Sequence, residues 1–331
     1  MNGLLFIDDE EGIRRSIVRA LGKEPYRVFT ANDGKKGIEL LKQHLAGICT
    51  VISDFRMPGI DGLRTLMAVY QLNPEITRII LTGYATVEAA IEATNQGIDG
   101  FLTKPFDNNE LKAKIREIST RKYLRQFVPE PVYQEINNSV GILKPRYHEV
   151  TILFSDIRGF TRMSRDISPE MLANYLNDYY FTPMGEIAHR FRGTVDKHIG
   201  DSLMVVYGAP VSHGDDPLMA VKSAVAMQAK AREIHAHVSC KNGFRLKIGI
   251  GISTGKVFSG VLGSMRKREY TSIGMAVNVA ARLQGLAGEG EILITGDTLS
   301  RLPSFIDVTP LHPMQVKGVD TQVRIYRIRS C

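Results

Sequence analysis

Two carboxylates, an amide and a guanidinium in the second half of the chain have the types and spacing to handle a phosphate ester. Asp156 closes the run Thr151-Ile152-Leu153-Phe154-Ser155, and Asp201 follows Gly200, where glycine permits a tight hairpin and close strand approach. Carboxylates at adjacent strand ends can bridge two cations. Phosphoryl and nucleotidyl transfer need that help, because crowded oxygens must be neutralised while an attacking oxygen is aligned with a leaving group. Asn278 and Arg282 stand four apart in the helical stretch Ala276–Leu286 and so share a face. There they could position a ribose and stabilise charge developing on a phosphate. Taken singly, each also has a plain reading: Arg282 as a surface cation, Asn278 as a capping or buried amide.

A second set lies in the first third. Asp8, Asp9 and Asp54 sit at the ends of apolar runs, where three carboxylates would repel one another unless a divalent cation lay among them. Oxygen-only ligands with room for water suit Mg2+. A carboxylate beside that metal can attack a phosphoryl group and become an acyl phosphate. Thr82 could hydrogen-bond a phosphoryl oxygen and Lys104 offset its charge. The plain alternative is a group of solvated loop carboxylates.

The elements that must position these groups follow from periodicity. Five apolar runs, Leu4–Asp8, Arg27–Ala31, Val51–Asp54, Arg78–Leu81 and Gly100–Leu102, alternate with amphipathic stretches such as Ile13–Leu21 and Gly62–Gln71. That pattern predicts a parallel sheet flanked by helices, with its site at the strand C-terminal ends. Residues Asp107–Arg125 read as one helix with a capping Asp107, ending in the Pro-punctuated segment Phe127–Pro131. From Glu149 strands and helices alternate again. They run through Val150–Asp156, a helix from Pro169 to about Arg190, the Gly200-Asp201 hairpin and a helix from Asp216 to about His235. Strands then start at Leu246, Glu269 and Glu291. The expected division is 1–118, a linker over 119–145, and 146–331.

Length and composition bound the rest. The 331 residues are 44% hydrophobic and 23% charged, which suits two globular domains. No apolar run approaches the ~20 residues that span a bilayer, and Met1–Ile7 does not read as a signal peptide. Three scattered cysteines, Cys49, Cys240 and Cys331, argue for a reducing compartment, so a cytoplasmic location is expected and no membrane partner. The charge of +7 is uneven: residues 1–118 hold 15 Lys+Arg and 16 Asp+Glu, while 119–331 hold 27 and 19. No basic run with interleaved aromatics points to nucleic acid, and a cleft for a polyphosphate explains the asymmetry more simply. His235 and His237, at a helix end, read as solvated, and the cations at 266–268 as loop or cleft charges.

The first set sits in motifs that resemble the response-regulator receiver family: Phe6-Ile7-Asp8-Asp9-Glu10, Ser53-Asp54-Phe55-Arg56-Met57-Pro58-Gly59, Leu81-Thr82-Gly83-Tyr84-Ala85 and Lys104-Pro105-Phe106. The resemblance implies a (βα)5 flavodoxin-like fold with Asp54 as phospho-acceptor. It implies Mg2+ held by Asp8, Asp9, Asp54 and the Arg56 carbonyl, Thr82 and Phe101 as switch residues, and Lys104 at the phosphate. Taken alone, an aromatic on a strand such as Phe101 is more often plain core. A cognate histidine kinase or phosphotransfer protein would be the partner.

The second set sits in motifs similar to class III nucleotidyl cyclases. They are Phe154-Ser155-Asp156-Ile157-Arg158-Gly159-Phe160-Thr161, Lys197-His198-Ile199-Gly200-Asp201, Tyr207-Gly208-Ala209-Pro210 and Glu269–Leu283. That resemblance implies an α+β, ferredoxin-like domain. Asp156, Asp201 and the Ile157 carbonyl would bind two Mg2+ or Mn2+ ions. Lys197 and Thr271 would read the base, Asn278 and Arg282 would serve the transition state, and Lys317 would meet the terminal phosphates. Thr271 resembles the subgroup that includes bicarbonate-responsive enzymes; Met275 departs from the acidic residue common there. Adenine offers an acceptor at N1 and a donor at its amino group, which a Lys donor and a Thr oxygen complement. Guanine reverses the pattern. The expectation is therefore a receiver-regulated adenylyl cyclase, ATP to 3′,5′-cyclic AMP and pyrophosphate, with sites shared across a homodimer. Another nucleotide cyclase and a non-catalytic nucleotide-binding output module are the alternatives.

Overall fold

The computed structural model describes residues 2–83, 97–138, 143–165, 167–242, 246–264, 267–315 and 322–330. The chain divides into two compact units, Met1–Phe127 and Val128–Cys331. Among the described residues no helix is long and apolar enough to cross a membrane.

In the first unit β1 (Asn2–Ile7), β2 (Tyr26–Ala31), β3 (Ile48–Asp54), β4 (Thr77–Thr82) and β5 (Gly100–Thr103) form one sheet in the order β2-β1-β3-β4-β5. Every pairing is parallel. Leu4 and Phe6 join a cluster with Ile17, Leu21, Leu111, Ile115 and Ile118, while Leu5 and Ile7 join Leu41, Val51 and Leu66 on the opposite face. Both faces are covered, so β1 is apolar at successive positions rather than alternating. Each such side chain contributes roughly 1.5–3 kcal/mol by leaving water. Strand order reverses between β1 and β3, which opens a crevice at their C-terminal ends.

The helix Asn108–Arg125 starts where the sequence places it, with the Asp107 carboxylate accepting from the Asn109 and Glu110 amides at 2.7 and 2.8 Å. A boundary at residue 118 would cut this helix, and the first unit instead runs to Phe127. Arg121, Lys122 and Gln126 all bond this stretch back to the first unit, and Lys122 does so although it breaks the apolar stripe of the helix. The Lys122 ammonium reaches the Pro74 and Ile76 carbonyls at 2.9 and 2.7 Å and Asp99 Oδ2 at 2.9 Å. A separate helix, Glu130–Asn138, occupies part of the expected linker.

The second unit is built on an eight-stranded mixed sheet. Its strands are β6 (Arg146–Ile157), β7 (Thr194–Ile199), β8 (Ser202–Tyr207), β9 (Ile248–Gly263), β10 (Arg268–Ile273), β11 (Ile292–Thr295), β12 (Asp307–Met314) and β13 (Val323–Ser330). The order is β12-β13-β11-β9-β6-β8-β7, with β10 pairing β9. Leu153, Leu203, Val205, Ile250 and Ile252 pack on one face against Tyr180, Met184, Ala220 and Ala224. Val150, Ile152, Phe154, Met204 and Val206 pack on the other against Ala276 and Ala280 of the Met275–Leu286 helix.

The helix expected from Pro169 to Arg190 is three contiguous pieces, Pro169–Tyr175, a widened π-type turn at Leu176–Phe181, and Thr182–Arg190. Pro183 has no N–H to donate into the turn before it, and the widened turn lies immediately ahead of that position. The next helix runs Asp216–Asn242, past the expected end at His235.

Candidate functional sites

In each unit the structure brings some of the expected residues together and leaves others apart. In the first unit Asp8 and Asp54 are buried at the ends of β1 and β3. The Lys104 ammonium bridges them, 2.9 Å from Asp8 Oδ2 and 2.7 Å from Asp54 Oδ1. Burial raises the Asp54 carboxyl above its usual range, against the pull of Lys104. Burial also works against the Lys104 ammonium, but its bonds to Asp54 and Asp8 prevail and hold it above its ordinary value. Asp54 Oδ2 accepts the Arg56 amide at 3.2 Å. Thr82 is buried and pairs with Thr103, and the Thr82 carbonyl accepts from the Lys104 amide at 2.7 Å. Two groups behave otherwise. Asp9 stays exposed, its carbonyl accepting from Arg14 Nη1 at 2.8 Å, and among the described residues no three His, Cys, Asp or Glu side chains gather into a cluster. Phe101 is 43% exposed on β5, so it is not plain core.

In the second unit Asp156 lies opposite Ser202 in the β6–β8 ladder, and the Ser202 hydroxyl donates to Asp156 Oδ1 at 2.6 Å. Gly200, at φ 62°, turns the chain between β7 and β8 and delivers Asp201 beside it. Burial, then the negative charge of Asp156, pushes the Asp201 carboxyl up to about 6, although the Asp201 and Ile157 amides favour the anion. Two half-buried carboxylates side by side, made only of hard oxygen donors, fit a divalent cation. Arg158 stands on the other side, Nη1 3.5 Å from Asp156 Oδ2, and its guanidinium also donates to the Gln284 carbonyl.

Lys197 and Thr271 come together from β7 and β10, strands that do not pair with each other. The Lys197 ammonium lies 3.4 Å from Glu269 Oε2 and 3.6 Å from Asp196 Oδ1. The Thr271 hydroxyl donates to Asp196 Oδ2 at 2.9 Å. Asp196 is the residue that reading the sequence missed. It sits next to Lys197, but nothing local marks it as buried.

On the Met275–Leu286 helix Ala276, Val279, Ala280 and Leu283 are buried, whereas Asn278 and Arg282 are exposed. These two side chains therefore project away from the sheet that carries Asp156 in the same chain. Lys317 lies outside the described residues.

Comparison with known proteins bears on both units. Residues 142–330 match the adenylate and guanylate cyclase catalytic domain family, and residues 4–116 match the response regulator receiver domain. An adenylate cyclase of Anabaena cylindrica is 32% identical over 243 residues, covering 67% of this chain and 47% of that protein. The chain thus spans about half the length of that relative. The crystal structure of the adenylyl cyclase CyaB from P. aeruginosa aligns with TM-score 0.55 and 34% identity, over 57% of this chain and 97% of that one. That of the guanylyl cyclase Cya2 aligns with TM-score 0.52 and 36% identity, over 56% and 92%. Overall likeness does not separate the two base specificities, and the residues at the base edge must.

Proposed function

Because the chain belongs to the adenylate and guanylate cyclase catalytic family and carries a receiver domain ahead of that catalytic unit, we propose that it is a receiver-regulated adenylyl cyclase. It would convert ATP to 3′,5′-cyclic AMP and pyrophosphate. The observation that carries the choice of base is the meeting of the Lys197 ammonium and the Thr271 hydroxyl around one carboxylate. A Lys donor answers the acceptor at adenine N1, and a Thr oxygen answers the adenine amino group.

Asp156 and Asp201, with the Ile157 carbonyl, would hold two Mg2+ or Mn2+ ions; bound there, the metals would activate the ribose 3′-hydroxyl and neutralise the triphosphate. Lys197 and Thr271 fix the base, so the ribose is presented in one orientation. Asn278 would hold the ribose, and Arg282 would face the charge that builds on the α-phosphate as the bond to pyrophosphate breaks. Lys317 would meet the terminal phosphates. Asn278 and Arg282 point away from their own sheet, which supports a two-fold homodimer in which one protomer supplies the carboxylates and its partner the base and transition-state groups.

Control is assigned to the first unit. Asp54 would take a phosphoryl group from a histidine kinase or phosphotransfer protein, with Mg2+ at Asp8, Asp9, Asp54 and the Arg56 carbonyl. Lys104 already stands where the new charge would appear, and Thr82 and Phe101 would report it as a shifted surface.

One assay tests the whole reading. Purified full-length chain is given ATP or GTP with Mn2+, with and without acetyl phosphate, and the product is identified. Cyclic AMP from ATP, with a rate that responds to acetyl phosphate in the native chain and not in Asp54→Asn, is the expected result. Cyclic GMP as the main product, or no cyclic nucleotide at all, refutes it.

A further inference from the structure

Lys197 and Thr271 do not define the base edge by themselves, since a buried carboxylate stands behind both. The ladder between β7 and β8 slips between Val195 and Lys197, so Asp196 is the extra residue of a bulge. A bulge leaves one residue unpaired and re-aims its side chain. Here it lets two sequence neighbours, 196 and 197, both reach the residues of β10. The Asp196 side chain is only 2% exposed. Its Oδ2 accepts the Thr271 hydroxyl proton at 2.9 Å. Its Oδ1 lies 3.6 Å from the Lys197 ammonium and makes no hydrogen bond. Burial pushes this carboxyl above the ordinary range, against the pull of Lys197 and the Thr271 hydroxyl. Burying a carboxylate with one oxygen unsatisfied is costly, and packing alone would be served by an apolar residue.

A threonine hydroxyl is ambivalent, with one proton to give and two lone pairs to offer. Left free, it could accept from the amino group of adenine or donate to the carbonyl oxygen that guanine carries at the same place. We propose that Asp196 removes this ambivalence: by accepting the hydrogen bond of the Thr271 hydroxyl it leaves that oxygen as an acceptor only towards the base, and so makes the site select a 6-aminopurine over a 6-oxopurine. Asp196 is a positioning residue, acting on the nucleotide through Thr271. The inference rests on the ATP reading above and adds to it the group that enforces the choice. Discrimination of this kind comes from mispaired polar groups facing the wrong base.

The test compares kcat/KM for ATP and GTP in the full-length chain, for the native protein, Asp196→Ala, Asp196→Asn, Thr271→Val and the double variant Asp196→Ala with Thr271→Val. Asp196→Ala is expected to lower the ATP:GTP ratio by about tenfold, and Asp196→Asn by less, since its carbonyl oxygen can still accept the proton. The double variant should show the ratio of Thr271→Val alone, because the carboxylate acts through that hydroxyl. If the native protein prefers ATP and Asp196→Ala slows both substrates in parallel, leaving the ratio within about twofold, Asp196 is structural and the inference falls while the ATP reading stands. If the native protein has no preference for ATP, the ATP reading falls and takes the inference with it. Should Asp196→Ala fail to fold by circular dichroism, Asp196→Val is judged by the same ratio. A chain that folds with neither also overturns the inference, since the carboxylate would then be required by the fold.

Discussion

The helix that carries Asn278 and Arg282 is seated on β9 with no room to spare, and that makes Gly251 a sensitive lever on activity. A Cβ at position 251 would overlap the Gln284 amide nitrogen and the Ala280 carbonyl oxygen, and would stand 2.8 Å from the Leu283 carbonyl carbon. All three are backbone atoms, so no rotamer change relieves the contact. Restoring ordinary 3.4 Å separation from the Leu283 carbon alone requires the helix to lift by at least ~0.6 Å. Overpacking of this sort costs about 1–3 kcal/mol of stability. A 1 Å misplacement of catalytic groups can cost on the order of 10²-fold, so a lift of this size should cost about tenfold or more in kcat. Gly251→Ala is therefore expected to melt several degrees below the native protein and to form product about tenfold or more slowly with saturating nucleotide and metal. Gly285→Ala is the control: it lies on the same helix, where a Cβ meets nothing within 4 Å, and it should keep full activity. Thermal melting by circular dichroism and initial-rate assays read both variants. If Gly251→Ala melts and turns over like the native chain, the seating of that helix does not set the position of Asn278 and Arg282.

Other outcomes follow from the same geometry. Asp156→Ala and Asp201→Ala should each abolish cyclic nucleotide formation with circular dichroism unchanged, and full activity in either would remove the metal assignment. Mixing inactive Asp156→Ala with inactive Arg282→Ala should restore up to one working site per heterodimer, and no recovery at any mixing ratio would count against sites shared between protomers. Without metal, the folded chain holds the Asp201 proton more tightly (about 6) than a free aspartate at 3.8 does. This group's contribution to stability is therefore fully present below about pH 4 and is lost as pH rises through about 6. Melting in a chelator between pH 4 and 7 should show that slope in the native protein and not in Asp201→Asn, and identical slopes would refute it. Lys122→Ala should destabilise the first unit by about 3 kcal/mol in urea unfolding, because it leaves the inward-facing Asp99 carboxylate and two backbone carbonyls without their shared partner.

Much of this was legible in the linear chain because it depends on short periods. The adjacent apolar residues Leu4 to Ile7 mark a strand covered on both faces. Asp107 marks a helix start, and the four-residue step from Asn278 to Arg282 keeps those groups on one helical face whatever surrounds them. Strand-end positions placed Asp8, Asp54 and Lys104 near one another once a parallel sheet was inferred. Long-range packing was not legible. In sequence Lys122 only breaks the apolar stripe of Leu111, Ile115 and Ile118, yet it ties its helix to Asp99 and to the carbonyls at 74 and 76. The widened turn at 176–181 and the helix at 130–138 also escaped notice, since neither has a repeating signature of its own.

The sequence determined which groups are present, the order of the elements and the side each residue takes within its own strand or helix, because backbone geometry fixes those periods locally. Tertiary structure alone decided which distant groups touch. A bulge of one residue in β7, invisible in any pattern of apolar positions, turns Asp196 inward, and the path of β10 back from β9 brings Thr271 onto it. Register and strand path are set by the packing of the whole sheet, so the partner of a buried carboxylate cannot be read from its neighbours in sequence.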